Sequence, residues 1–207
     1  IIAKGLNCVG VDQKGGPTVE PCGKCSNCVA IIEGNHVDVL EMDAASRTGV
    51  DDIREIIESI YYKASSGRFK VYIIDEVHML SNNAFNALLK TLEEPPNHVK
   101  FIFATTEIRK VPITVLSRCQ RFDLRRIEPV EMIALLQKIA KSEGVNVSED
   151  AFRMITRAAE GSARDATSLL DQAISHGGGS SDAKLVRAML GMADRGRVLD
   201  LFKMIMQ

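Results

Sequence analysis

Two short apolar runs, one helix length apart, constrain this chain more than any other feature. Residues 69–74 (FKVYII) and 99–104 (VKFIFA) lack the strict polar–apolar alternation of a strand with one wet face. Such runs suit strands covered on both sides, as in parallel sheets. Between them, residues 82–94 read as a helix that Ser81 can cap and Pro95-Pro96 stops. Upstream, residues 37–43 (VDVLEMD) read as a strand. Residues 49–64 carry Ile53, Ile56, Ile57 and Ile60 at helical spacing, with Asp51 and Asp52 in the first turn, where the helix dipole favours them. Residues 112–116 suggest a helical turn begun by Pro112, and residues 121–124 a last short strand. Strand, helix, strand, helix, strand predicts an α/β domain on a covered parallel sheet.

After Arg126 the pattern changes. Residues 128–144, 148–160 and 162–176 read as three helices with one apolar face each, punctuated by Gly144, Gly161 and Gly177. They predict a small helical domain ending in a glycine break at 177–179. Residues 182–190 and 194–206 suggest two further helices. A length of 207 residues suffices for a core and a smaller second domain. The 26 basic and 27 acidic residues leave a net charge of −1, so no global attraction to nucleic acid is expected, though a local patch remains open. No apolar run approaches the roughly 20 residues of a membrane span, so a cytoplasmic protein with no membrane partner is expected. The opening IIAKGLNC reads as the tail of a helix begun further upstream.

Three cysteines fall within seven residues in PCGKCSNC, namely Cys22, Cys25 and Cys28, and Cys8 lies upstream. Four thiolates at this spacing read as a closed structural zinc site, since catalytic zinc usually keeps an open position and a histidine. His36 is the one histidine nearby. An iron–sulfur cluster is the alternative, because four thiolates suit either, and disulfides are weaker without a secretory signal. Cys119, far along the chain, is expected to be a buried thiol.

The segment VYIIDEVHML ends an apolar strand directly in Asp75-Glu76. In open α/β sheets ligands sit beyond the carboxyl ends of strands. A carboxylate there can hold Mg²⁺ and its neighbour can deprotonate an attacking water. Asp75 is thus the candidate magnesium residue and Glu76 the candidate base; an acidic surface turn is the plain alternative. The next strand brings Thr105 and Thr106 to the same edge. Residues 109–126 hold Arg109, Lys110, Arg118, Arg121, Arg125 and Arg126 against one acid, Asp123. A solvated charge run is the default there, but Arg118 in Ser117-Arg118-Cys119 follows an apolar stretch and can reach an anion on a neighbouring subunit.

Taken together, IIAKGLNC, PCGKCSNC, EMDAASRTGVDDIRE, VYIIDEVHMLSNNAFNALLKTLEEPP, FIFATTE, VLSRCQRF and GSARDATSLLDQA resemble the tau/gamma family of bacterial DNA polymerase III clamp-loader subunits, which are AAA+ ATPases. The resemblance spans nearly the whole chain. It implies an AAA+ core over residues 1–126 with a zinc module at 8–28, a helical lid at 127–179 and the start of a helical collar domain at 180–207. It implies zinc at Cys8, Cys22, Cys25 and Cys28. It implies a Walker B pair at Asp75 and Glu76, a sensor at Thr106, an arginine finger acting in trans at Arg118 and a lid sensor at Arg164. ATP and Mg²⁺ are the implied cofactors of the full-length protein. Other clamp-loader subunits in a heteropentameric ring, copies of the chain among them, are the implied partners. So are the sliding clamp, primer–template DNA, and a polymerase and helicase reached through further regions.

One departure stands out. No Gly-x4-Gly-Lys-Ser/Thr phosphate loop occurs in these 207 residues. In the family it precedes the helix ending in IIAKGLNC, so this stretch alone is expected to bind ATP poorly and to be inactive. The favoured function is ATP-driven loading of a sliding clamp onto primed DNA, as part of a replicase grouped with DNA-directed DNA polymerases. A noncatalytic AAA+ scaffold subunit is one alternative. A zinc-dependent nucleic-acid-binding module is another, though the cysteine loop holds only Lys14 and Lys24 and no aromatic side chain to stack a base.

Overall fold

The computed structural model describes residues 1–46, 49–177, 180–191 and 204–206. It forms two compact units, Ile1–Arg121 and Phe122–Gln207.

The first unit opens with helix α1 (Ile2–Asn7), a cysteine-bearing loop and helix α2 (Ser26–Ile32). Strand β1 (Val39–Asp43), helix α3 (Val50–Ile60), strand β2 (Lys70–Asp75), helix α4 (Asn82–Glu93), strand β3 (Val99–Phe103) and the short helix α5 (Ile113–Leu116) follow. The three strands are parallel in the order β1-β2-β3. Asp43 stands beside Asp75 in register, and Ile74 beside Phe103. The core between sheet and helices is built from Ile53, Ile56 and Ile60 of α3, Ile74 of β2, and Phe85 and Leu88 of α4. Ser81 caps α4 by accepting the Ala84 N–H at 3.2 Å, and Pro112 starts α5.

Three expectations are corrected. Residues 121–124 form no strand: Phe122 and Leu124, the apolar pair of the alternation, are 78% and 95% exposed. A strand needs a neighbour for its backbone groups, and among the described residues the main sheet ends at β3. For the same reason β3 is covered less than its composition suggests, with only Val99 fully buried and Phe101, Ile102 and Phe103 partly so. Cys119 is likewise half-buried at the margin of the core, and burial pushes its thiol pKa upward.

The second unit holds α6 (Pro129–Ser142), α7 (Glu149–Ala158), α8 (Ala163–Gly177) and α9 (Ala183–Met189), with a two-stranded parallel pair, β4 (Asn146–Val147) and β5 (Ser180–Ser181). Met132, Leu136, Phe152, Ile155, Leu170 and Val186 form its core. At the α7–α8 turn, Gly161 has φ +81°, and a Cβ there would lie 2.8 Å from the Arg126 Cβ. The chain entering α6 packs against that turn, with the Ile127 N–H donating to the Gly161 carbonyl at 3.1 Å. Part of the expected glycine break and most of the helix expected at 194–206 lie outside the described residues.

Candidate active site and metal centre

Strand β2 carries chemistry at one end and an anchor at the other. Its carboxyl end extends the ladder past the strands proper: the Ala44 N–H donates to the Asp75 carbonyl at 2.9 Å, and the Val77 N–H to the Ala104 carbonyl at 2.9 Å. The loops after β1, β2 and β3 are therefore gathered at one edge. Asp75 is exposed there, with one carboxylate oxygen accepting the Glu76 N–H at 2.9 Å.

Glu76 follows in the left-handed region, φ +46° and ψ +44°. A non-glycine residue held there costs about 1 kcal/mol or more, a strain that clusters at functional sites and that Gln13 and Glu160 also carry in this chain. The turn aims its carboxylate across the edge toward the loop after β3. The Thr106 hydroxyl donates to Oε2 at 3.1 Å, backed by the Thr106 N–H at 3.4 Å. The Glu76 side chain stays 36% exposed, so a face of the carboxylate remains open to water. The structure thus brings together Asp75, Glu76 and Thr106. It adds a residue that the sequence reading passed over. His78, on the 3₁₀ turn Val77–Met79, buries its ring beneath this edge, Nδ1 lying 2.9 Å from the Thr105 hydroxyl and 3.3 Å from Glu76 Oε2. Nε2 lies 3.6 Å from Glu107, which pairs with Lys110 at 2.8 Å. The Lys110 hydrogen bond, against a little desolvation, holds the Glu107 carboxyl below its usual range.

Arg118 lies just past α5. Its guanidinium pairs with Glu93 at the end of α4 and donates to the Thr114 carbonyl. It is not a freely solvated charge, although the side chain is 30% exposed. Arg164 is exposed in the first turn of α8, in the second unit.

At the other end of the first unit, Cys8, Cys22, Cys25 and Cys28 converge, all sulfurs lying within 4.8 Å of one another. A tetrahedral site with zinc–sulfur bonds of about 2.3 Å has sulfurs about 3.8 Å apart, so a small contraction would close the set. Backbone N–H groups point at the sulfurs as they do toward thiolates: Gly10 and Cys22 at Cys8, each 3.4 Å, Cys25 at Cys22, 3.4 Å, and Cys28 at Cys25, 3.5 Å. Burial opposes ionisation of Cys25, but the N–H groups of Val9 and Cys28 and its thiol neighbours Cys28 and Cys22 win and bring its pKa to about 6. In Cys8 the Cys22 and Gly10 N–H groups likewise lower it. Cys28, fully buried, is pushed up to about 12 by desolvation. Donor type, convergence and N–H support all fit a four-thiolate metal. His36 is not part of the set: its Nδ1 accepts the Asp38 N–H at 3.1 Å.

The module is bolted to the sheet. The Asn7 side chain donates to the Phe69 carbonyl at 2.9 Å and accepts the Phe69 N–H at 2.8 Å. Arg68 donates to the carbonyls of Leu6 and Gly15 at 2.9 and 2.7 Å. Asp38, buried at the start of β1, accepts N–H groups from Ser65, Ser66 and Gly67 at 2.8, 2.7 and 2.7 Å. Burial alone would raise its pKa, but those three bonds and nearby His36 hold it below the usual range.

A parallel sheet with a carboxylate pair at its carboxyl edge, followed by a helical unit, defines the AAA+ class of ATPase folds. Solved structures agree on the fold. The Thermotoga maritima RuvB Holliday junction branch migration motor superposes with a TM-score of 0.63 at 18% identity, covering 82% of this chain and 58% of that one. A DNA polymerase III gamma subunit-related protein from Thermotoga maritima gives 0.51 at 25% identity, over 65% of this chain and 42% of that one. The family can be stated more narrowly. Residues 1–128 match the family described as DNA polymerase III, delta subunit, and residues 132–179 the DNA polymerase III clamp loader subunit, ATPase lid domain. The chain belongs to this clamp-loader subunit family. It is 48% identical to the DNA polymerase III subunit tau of Escherichia coli over all of its length and 31% of that protein. It is 52% identical to subunit tau of Bacillus subtilis over 86% of its length and 31% of that protein. It is 48% identical to subunit gamma of Buchnera aphidicola subsp. Baizongia pistaciae over 96% of its length and 52% of that protein. The chain thus spans about a third to a half of these curated relatives.

Proposed function

We propose that this chain is part of a clamp-loader motor subunit, which in its full-length form hydrolyses ATP to place a sliding clamp on primed DNA. The observation that carries the reading is Glu76: a strained left-handed residue directly after Asp75, at the carboxyl end of a parallel strand, its carboxylate aligned by Thr106. Asp75 would hold Mg²⁺, which neutralises charge on the phosphates. Glu76 orients a water and takes its proton, and Thr106 senses the phosphate edge. Arg164 acts from a lid over residues 127–179, and residues 180–207 begin a collar that joins subunits. In a heteropentameric ring Arg118 leaves or shares its Glu93 pairing to meet a phosphate bound by the adjacent subunit. Hydrolysis then depends on assembly. Further regions reach polymerase and helicase, and the protein works in the cytoplasm. The four cysteines hold one structural zinc ion that braces residues 8–28. Among the described residues no helix is long and apolar enough to cross a membrane.

Glu76→Gln in the full-length, assembled protein tests this reading. ATP binding should persist while DNA-stimulated turnover falls ~10²–10⁴-fold, the usual contribution of a general base. Arg118→Ala should lower turnover only in the pocket of the facing subunit, whereas Arg121→Ala should matter less. Normal turnover by Glu76→Gln rings would remove Glu76 from its role.

A further inference from the structure

Among the described residues, the His78 ring is the one buried titratable side chain at the carboxyl edge that the proposed chemistry leaves unused. Only 6% of the side chain is exposed. It stands between two loops that must move together if hydrolysis is to answer to the bound phosphate. From the loop after β2 comes Glu76; from the loop after β3 come Thr105, Thr106 and Glu107. His78 touches both, through Nδ1 to Thr105 and Glu76, and through Nε2 toward Glu107. Thr105 is in turn fixed by the Glu107 N–H, which donates to its hydroxyl at 3.0 Å.

The polar arithmetic at Glu76 Oε2 is informative. Three groups converge on this one oxygen: the Thr106 hydroxyl at 3.1 Å, the Thr106 N–H at 3.4 Å and His78 Nδ1 at 3.3 Å. Two come from a single residue on the β3 loop. The third comes from below and is the only one on the same loop as Glu76. If Thr106 turns toward a ligand, the His78 ring is what still holds the carboxylate at the sheet edge. An aspartate or glutamate swinging free by 1 Å loses much of its value as a base, because positioning contributes as much as basicity.

We propose that His78 is a positioning residue: its ring steadies the Glu76 carboxylate and couples it to the Thr105–Glu107 loop. The inference rests on Glu76 being the base. His78 itself exchanges no proton with the substrate. Its effect passes through Glu76 and is absent when Glu76 cannot act.

The test uses full-length protein in its assembled ring, with DNA-stimulated ATPase, nucleotide binding and thermal unfolding measured for each variant. His78→Ala should lower kcat ~10- to 100-fold, the scale of a small misplacement, and leave KM and nucleotide affinity within about 2-fold. His78→Asn puts an amide nitrogen where Nδ1 sits and should recover most of kcat. His78→Gln reaches toward the Nε2 position instead and should stay low. On a Glu76→Gln background, His78→Ala should cost nothing further, since coupled residues are non-additive. If His78→Ala unfolds, the Asn and Gln pair decides alone, both being polar and close in size to histidine. The proposal is overturned by unchanged kcat in His78→Ala, by a loss confined to KM, by equal activity of the Asn and Gln variants, or by an additive loss on the Glu76→Gln background. Wild-type rings without ATPase activity, or full activity in Glu76→Gln, would instead bring down the hydrolysis reading and the role of His78 with it.

Discussion

The two ends of strand β2 use the same functional group in opposite ways. At the amino end, Asp38, just before the neighbouring strand β1, is 4% exposed, and three N–H donors from residues 65–67 bond to its oxygens. At the carboxyl end, Asp75 is exposed and one of its oxygens accepts a single N–H, that of Glu76. Glu76 keeps an open side and a backbone in the left-handed region. A carboxylate whose two oxygens are both held by N–H groups fixes a loop in place. One whose lone pairs are left open is available to a cation, a water or a proton. The difference lies in the donors around each acid rather than in the acid. Open valence is gathered at one end, while the other end, clamped by Asp38, Asn7 and Arg68, keeps the strand fixed.

Three perturbations bear on this contrast. The largest is removal of metal from the cysteine module. Purified without chelator under reducing conditions, the chain should carry about one zinc; stripping it, or substituting Cys25→Ser, should loosen residues 8–28 and lower the unfolding temperature by several degrees, as a loss of a few kcal/mol does in a domain of this size. Hydrogen exchange should show the amides of β2 and β3 still protected. Collapse of the sheet together with the module would mean that the amino end is not a separate anchor.

Next comes Asp38→Ala, which takes the acceptor from three part-buried N–H groups and should cost about 3 kcal/mol in unfolding free energy. Asp75→Ala should stay within about 0.5 kcal/mol, as exposed substitutions do. Equal losses at the two positions would erase the distinction. The pH dependence follows from the lowered pKa of Asp38. A carboxyl depressed on folding contributes stability that is complete above its unfolded pKa, near 4, and is lost as pH falls through its folded value. Denaturant titrations below pH ~4 should therefore show a drop in stability that the Asp38→Asn variant lacks.

The smallest effect is expected from Thr106→Val. It removes a hydroxyl from an exposed bond to Glu76 and should change stability by less than about 0.5 kcal/mol. A large loss in thermal unfolding would show that the carboxyl edge also carries structure.

The sheet was legible because its strands are apolar runs of the right length, and the helices because their apolar stripes and caps are local. Ser81 caps α4 where its position predicts. Helix α2 was not legible, since Ser26–Ile32 begins inside the cysteine cluster and its apolar VAII is too short to show a helical period. The strand expected at 121–124 failed for a non-local reason: its alternation is real, but pairing requires a neighbour that the local pattern cannot supply. At the site, Asp75 and Glu76 were readable from the place where a strand stops. The contact of Glu76 with Thr106 spans 30 residues, and that of His78 with Thr105 spans 27. A single histidine beside acids carries no sign of where its ring will go; the parallel register of β2 and β3 decides that.

The Asn7 side chain has a consequence for which residues this position can tolerate. Its amide meets Phe69 as one peptide group meets another, donating from nitrogen and accepting at oxygen, while Phe69 offers the complementary pair. Aspartate would supply two acceptors and repel the carbonyl. Glutamine carries the same amide one carbon further out, where Gly67 already leaves only 3.0–3.2 Å between its would-be Cβ and the Asn7 side chain. Serine and alanine fall short. Position 7 is thus a slot cut for one residue type, a side chain standing in for backbone, and drift in the surrounding helix is free only so long as that substitute peptide bond stays where it is.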